Sequence, residues 1–224
     1  MKRSSIALCI IFACTAFFAA QAMAQMEFGV GPIVGVNFGT ASISPTPVYP
    51  TGYTQGGRTG MKFGAQAELG FAKMFYVEME PSFIGKGYSI NGPQGSATVS
   101  VSELQFPVLF KVKFMKGVIR PYAFAGPNIG FVLASTLSYS ITGQTIPDQD
   151  LKSQTSSTDF AIDFGGGAEY NVTPKIGITL DVRYSLGVGN LANPPATPGQ
   201  VATTSQTNHA SGFQILAGVM FHII

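Results

Sequence analysis

Tryptophan is absent from this chain of 224 residues, and cysteine and histidine occur twice each. Cys9 and Cys14 both fall in the apolar segment at the amino terminus. Beyond that segment there is no thiol, which excludes a disulfide framework, a thiolate metal site and a cysteine nucleophile. His209 and His222 stand apart, and no cluster of Asp, Glu and His has a local metal-ligand spacing. A nucleophile triad would need one of these two histidines and distant partners. Charged residues make up only 11% of the chain. Past the amino terminus no apolar run approaches the ~18 residues of a membrane-crossing helix. No stretch keeps a 3.6-residue period between caps, so almost no helix is expected there.

What is present begins with residues 1–24, which read as a secretory signal peptide. Lys2 and Arg3 form the positive start, residues 6–20 the apolar core, and Ala22-Met23-Ala24 a small-residue cleavage site before Gln25. Cleavage there leaves residues 25–224 as one barrel domain. It also removes two of the 13 basic residues, so 11 face 11 acidic ones. A neutral chain offers no electrostatic ground for a nucleic-acid partner.

The run Glu103-Leu-Gln-Phe-Pro-Val-Leu-Phe-Lys-Val-Lys-Phe114 alternates. Its even positions are all apolar, and its charges sit on odd ones, so a strand here has one greasy face and one charged face. The same holds over 176–188, with Ile176, Ile178, Leu180, Val182, Tyr184, Leu186 and Val188 against Thr179, Asp181, Arg183 and Ser185. This period predicts eight strands: 27–38, 59–71, 75–88, 99–114, 120–133, 159–170, 176–188 and 212–224. They exceed the five or six residues usual in globular sheets and suffice to cross a bilayer at a tilt. Connections 72–74, 115–119 and 171–175 are tight. Connections 39–58, 89–98, 134–158 and 191–211 are long and rich in Ser, Thr, Asn, Gln, Gly and Pro. In an up-and-down meander the short ones share one rim and the long ones the other. The fold class expected is therefore all-β: an eight-stranded antiparallel up-and-down transmembrane β-barrel with short inner turns and long outer loops.

Apart from Glu27, every charge in these strands falls opposite the bulky apolar row: Lys62, Glu68, Glu78, Glu80, Lys86, Glu103, Lys111, Lys113, Arg120, Asp159, Asp163, Glu169, Asp181 and Arg183. A slip of one residue would invert a strand. Alternation does not say which face is inside. A secreted lipocalin-like barrel would line a ligand cavity with the apolar face instead. Three features favour a polar lumen in a membrane. Gly64, Gly70, Gly126, Gly130, Gly165, Gly167, Gly187, Gly189 and Gly218 share the charged face, as a crowded lumen needs. The opposing charges nearly balance. The last strand carries Phe221 and Ile223 at alternate positions, similar to the terminal signature of outer-membrane barrels. Phe38, Phe71, Phe75, Phe114, Phe131 and Tyr170 lie near strand ends, where interface girdles form.

Several of these strands resemble those of the PorT-like outer-membrane β-barrel family, of the OmpA-type eight-stranded architecture. The run 103–111 is similar to the family's "LEIPVLLKY" strand, and Arg120-Pro-Tyr-Ala-Phe-Ala-Gly-Pro-Asn-Ile-Gly130 to its "kPYvfaGpslG" strand. Asp163-Phe-Gly-Gly-Gly-Ala-Glu-Tyr170 and Leu180-Asp-Val-Arg-Tyr-Ser-Leu-Gly187 look like its "GaGieY" and "ldlRYslGl" strands. The resemblance covers residues 25–224 and implies an outer-membrane barrel without an assigned activity.

Gly187-Val-Gly-Asn-Leu-Ala192 matches a dinucleotide fingerprint, but Pro194 and Pro195 follow where a helix must start, so a strand end is the reading. Gly165-Gly-Gly167 lacks the lysine and helix of a phosphate loop. The outer strand face offers no His, Asp or Glu, so no catalytic, cofactor or metal residue is assigned and no enzyme is expected. The lumen charges Lys111, Lys113, Asp163, Glu169, Asp181 and Arg183 either line an ion path or pair and plug the barrel, because eight strands leave a lumen that side chains can fill. The expectation is an integral outer-membrane protein of structural or interaction type, with a narrow pore as the alternative. Its partners are membrane lipid and a surface or periplasmic protein meeting the loops, and the barrel is read as a monomer.

Overall fold

The computed structural model describes residues 26–44, 47–71, 74–141, 144–192 and 207–223. The expected signal peptide, the centre of the last long connection and Ile224 lie outside them. The strands are β1 (Glu27–Ser44), β2 (Thr54–Phe71), β3 (Phe75–Met79), β4 (Ser82–Gly92), β5 (Gly95–Lys113), β6 (Ile119–Ile141), β7 (Gln144–Thr145), β8 (Gln149–Asp150), β9 (Thr158–Thr173), β10 (Ile176–Gly187) and β11 (Thr207–His222). No helix among the described residues is long and apolar enough to cross a membrane.

The strands close into a ring of eight antiparallel staves. Each stave pairs with the next, and β1 meets β11 from Gly29 opposite His222 to Ser44 opposite Thr207. Closure leaves no open sheet edge in the bilayer, where an unpaired backbone group would be costly. β3 and β4 are one stave interrupted at Glu80 and Pro81, and proline has no N–H for the ladder. The Pro81 carbonyl still accepts from Ala65 N, and Glu80 N donates to the Pro107 carbonyl, so the seam stays bonded.

The apolar row points outward. Phe63, Phe110, Leu180 and Phe213 are exposed, while Lys62, Lys111, Asp181 and Gln214 beside them are buried. The lipocalin-like alternative requires the reverse and is corrected here. Along β5 and the residue that follows it, the outward apolar row runs from Leu104 to Phe114. Ten residues at about 3.3 Å each, tilted by about 40°, give a band of about 25 Å, the height of a bilayer-spanning band. The girdle candidates stand at its margins, with Phe71, Phe75, Phe114 and Tyr170 beside the tight turns and Phe38 and Phe131 towards the other rim.

Above the band the strands run on further than the alternation foretold. The expected connection 89–98 is a hairpin that turns at Pro93 and Gln94, with Gly92 opposite Gly95. β6 continues to Ile141, and β1 and β2 reach Ser44 and Thr54. These extensions are Ser-, Thr- and Gly-rich and have no greasy face to lipid, so period-2 reading takes them for loops. Hydrogen bonding alone makes them strands. Glu27, set aside by the parity argument, also joins the lumen side, where Tyr76 and Arg120 hold it.

Candidate functional site: the charged lumen

The inward positions form four tiers of charge, each assembled from several staves. At the inner mouth, Tyr76 donates its hydroxyl hydrogen to Glu27 Oε2 at 2.6 Å, and Arg120 donates to both the Tyr76 hydroxyl and Glu27. In the next tier Lys113 bridges Glu68 and Glu169, and Lys111 lies 2.6 Å from Glu78 and 3.2 Å from Glu68. His222 Nε2 closes that tier on the other Glu169 oxygen at 2.7 Å.

The third tier is centred on Arg183. Its Nη1 and Nη2 donate to Glu80 Oε2 and Oε1, each at 2.6 Å, a two-pronged geometry that a planar guanidinium matches and an ammonium cannot. Asp163 and Asp181 approach the same guanidinium at 3.6 and 3.5 Å. Lys62 reaches Glu80 and Gln214, Asp163 accepts from Ser185 and Asn128, and Asp181 accepts from the Tyr122 hydroxyl. Towards the outer mouth, Lys86 lies 2.9 Å from Glu103 and 2.7 Å from Asp159, and Gln105 donates to Glu103.

Aromatic rings separate the tiers. Lys111 lies 4.3 Å from the Tyr122 ring centroid, Lys113 4.2 Å from that of Tyr76, and the Arg183 guanidinium carbon 4.9 Å from that of Phe124. Such contacts are attractive and strongest where water is excluded. The rings need space opposite them. A Cβ on Gly70 would sit 2.4 Å from the Tyr76 ring, and one on Gly165 would sit 3.1 Å from Phe124 and 2.2 Å from the Val182 carbonyl. At these positions the rings and the neighbouring backbone leave no room for a side chain, which accounts for glycine there.

The lumen charges singled out in the sequence are all brought together here: Lys111, Lys113, Asp163, Glu169, Asp181 and Arg183 are buried and paired. Sequence reasoning did not name Tyr76, Tyr122 and Phe124, although they share the parity of Glu78, Glu80 and Arg120. Their residue type suits lipid as well as a lumen, and closure of the ring places these three inside. Glu78, Glu80 and Asp181 present oxygens within 4.8 Å of one another, the spacing of a cation site. Lys111 and Arg183 already supply their counter-charge, so the chemistry is that of an ion-pair node.

The outer mouth is stoppered by apolar side chains, with Val101, Val132, Leu191 and Ala210 packed together above Lys86. The segment after β8 is held across it: Leu151 N bonds the Ser135 carbonyl, Lys152 Nζ the Val132 carbonyl and Ser156 N the Leu191 carbonyl. A cavity of about 190 Å³ remains among Lys86, Tyr88, Val99, Leu151 and Asn208. The inner mouth opens into a wider recess of about 820 Å³ bordered by Glu27, Arg120, Lys175 and His222. Between the mouths, side chains fill the bore. His209 lies near the outer mouth, its Nδ1 2.8 Å from the Gly189 carbonyl.

OprG, an outer membrane protein of Pseudomonas aeruginosa, superimposes with a TM-score of 0.53 at 12% identity, over 88% of this chain and 95% of its own. Neisserial surface protein A aligns at 0.48 and 12% identity, over 87% of this chain and 96% of its own. The first likeness is one of fold. No curated protein matches in sequence. The family model described as an outer membrane protein beta-barrel domain matches residues 19–193. With a closed eight-stave ring, an outward apolar band and a charged, filled bore, the chain belongs to the outer membrane beta-barrel domain family and resides in the outer membrane.

Proposed function

We propose that this barrel is a non-conducting, non-enzymatic anchor that presents its outer strands and loops to a macromolecular partner. Within the family it is grouped here with the PorT-like proteins, on the strand motifs of 103–111, 120–130, 163–170 and 180–187, and it reaches the membrane after cleavage of residues 1–24. One observation carries the reading: both the four ion-pair tiers and the apolar stopper obstruct the bore, while the strands extend beyond the bilayer on one side only. Sequence and structure are spent on closing the channel and raising the outer rim. Planar-bilayer recording with purified protein tests the closed bore, with no reproducible single-channel steps expected. Deletion of 142–149 or 193–206 tests presentation: the barrel should persist as a heat-modifiable band on a gel while capture of the surface partner is lost. Regular conductance steps that Arg183→Ala alters would overturn the anchor reading.

A narrow cation path is the second reading. It is favoured by the buried lumen's composition, in which Glu68, Glu78, Glu80, Glu103, Asp159, Asp163, Glu169 and Asp181 outnumber Lys62, Lys86, Lys111, Lys113 and Arg183. A lumen with that excess would pass cations in preference to anions if it opened.

A further inference from the structure

Above the bilayer band the outward face of the sheet changes character within one residue pair. On β5 the outward row passes from Leu104, Phe106 and Phe110 to Ser102, Ser100, Thr98 and Ser96. Cross-strand pairing places Ser96 opposite Ser140, Thr98 opposite Ser138 and Ser100 opposite Thr136, with Ser89 of β4 on the other side of Thr98. The inward positions between them are Val99 and Val101, the latter packed in the mouth's apolar cluster, so these hydroxyls point away from the bore. They form a lattice with a spacing of about 4.8 Å across strands and about 6.8 Å along them, rising about 20 Å from Ser102 to Ser96.

Two properties decide what this face meets. It carries no Lys, Arg, Asp or Glu across three strands, whereas the water-facing surface of a soluble domain is about a quarter to a third charged. Charges stand at its margins, with Asp150 opposite Thr136 on one side and the Arg58 side chain of β2 beside Gly85 and Gly87 on the other. Among the described residues, none of Ser96, Thr98, Ser100, Thr136, Ser138 and Ser140 has a side-chain hydrogen-bond partner. The face is also continuous with the lipid-facing band, so its neighbour is the head-group layer of the same outer leaflet. A surface without Lys or Arg is unsuited to phosphates. Hydroxyls left free for a partner outside the protein suit neutral polyols, each of which can donate and accept.

We propose that this hydroxyl face packs against the sugars of the outer-leaflet glycolipid surrounding the barrel, using saccharide hydroxyls as its hydrogen-bond partners. The inference rests on the outer-membrane placement and not on the identity of any loop-bound protein. The barrel is reconstituted in discs of glycolipid with its complete core oligosaccharide, and in discs of the same glycolipid truncated to its acylated disaccharide anchor. The readout is the temperature at which the folded gel band converts to the unfolded one. The wild type should convert several degrees higher in the complete glycolipid. The triple variant Thr98→Val, Ser100→Ala, Ser138→Ala should lose that difference, yet match the wild type in the truncated glycolipid. If the triple variant fails to fold, Thr98→Ser should keep the difference and Ser100→Ala alone reduce it. Equal conversion temperatures for the wild type in both discs, or a difference that survives removal of the hydroxyls, overturns the proposal and leaves the anchor reading untouched.

Discussion

Arg183 and Glu80 are 103 residues apart in the chain and meet in the middle of the barrel through two hydrogen bonds of 2.6 Å. Neither is exposed. The pair ties β10 to the broken β3–β4 stave across the bore, where no backbone hydrogen bond can reach.

Removing one partner leaves a buried charge without its counter-ion. Glu80→Gln or Arg183→Met should each cost about 3–5 kcal/mol of folding stability, measured by urea unfolding in lipid vesicles. The double replacement Glu80→Met with Arg183→Met should cost much less than the sum of the two singles, because apolar side chains of similar volume fill the space without charge. Additive costs would mean that the two side chains do not act as a pair.

The outward row predicts a depth dependence. Phe110 lies near the middle of the band and Phe114 at its inner margin. Phe110→Arg should destabilise the vesicle-embedded barrel by about 2–4 kcal/mol and Phe114→Arg by about 0–1. Equal costs would place the band elsewhere on β5.

Gly70 on the inner face makes room for a neighbouring ring. Gly70→Val would drive a side chain into the Tyr76 ring, 2.4 Å from the added Cβ. Overpacking of this kind costs about 1–3 kcal/mol, and combining it with Tyr76→Ala should recover part of the loss. Refolding yield and urea midpoint of the three variants report this directly.

The barrel's direction is testable by labelling. Asp148 is exposed beyond the outer rim, and Lys116 lies in the tight turn before β6. In intact cells a membrane-impermeant maleimide should modify Asp148→Cys, and should modify Lys116→Cys only after the outer membrane is breached. The reverse pattern would invert the barrel.

Much of this architecture is legible from residue parity. The alternation around Glu103–Phe114 and 176–188 identifies staves, and the charges opposite Phe and Leu identify the face that needs burial, because a pleated strand leaves no other place for them. The glycines on the charged face point inward for the same reason. Parity stops where both faces of a strand are wet, so the extensions of β4, β5 and β6 above the bilayer read as loops. It is also blind to exceptions of residue type. Tyr76, Tyr122 and Phe124 obey the inward parity yet look like lipid-facing aromatics until the ring closes around them.

The sequence by itself determined that the chain forms long amphipathic strands with one charged and one apolar face, because the side-chain period of a strand is two. Pairing was beyond it. Whether Arg183 meets Glu80, whether Lys113 bridges Glu68 and Glu169, and whether the bore is filled or open depend on closure of β1 against β11 and on the stagger between staves. Those long-range registers bring residues from opposite walls within hydrogen-bonding distance, and no spacing along one strand encodes them.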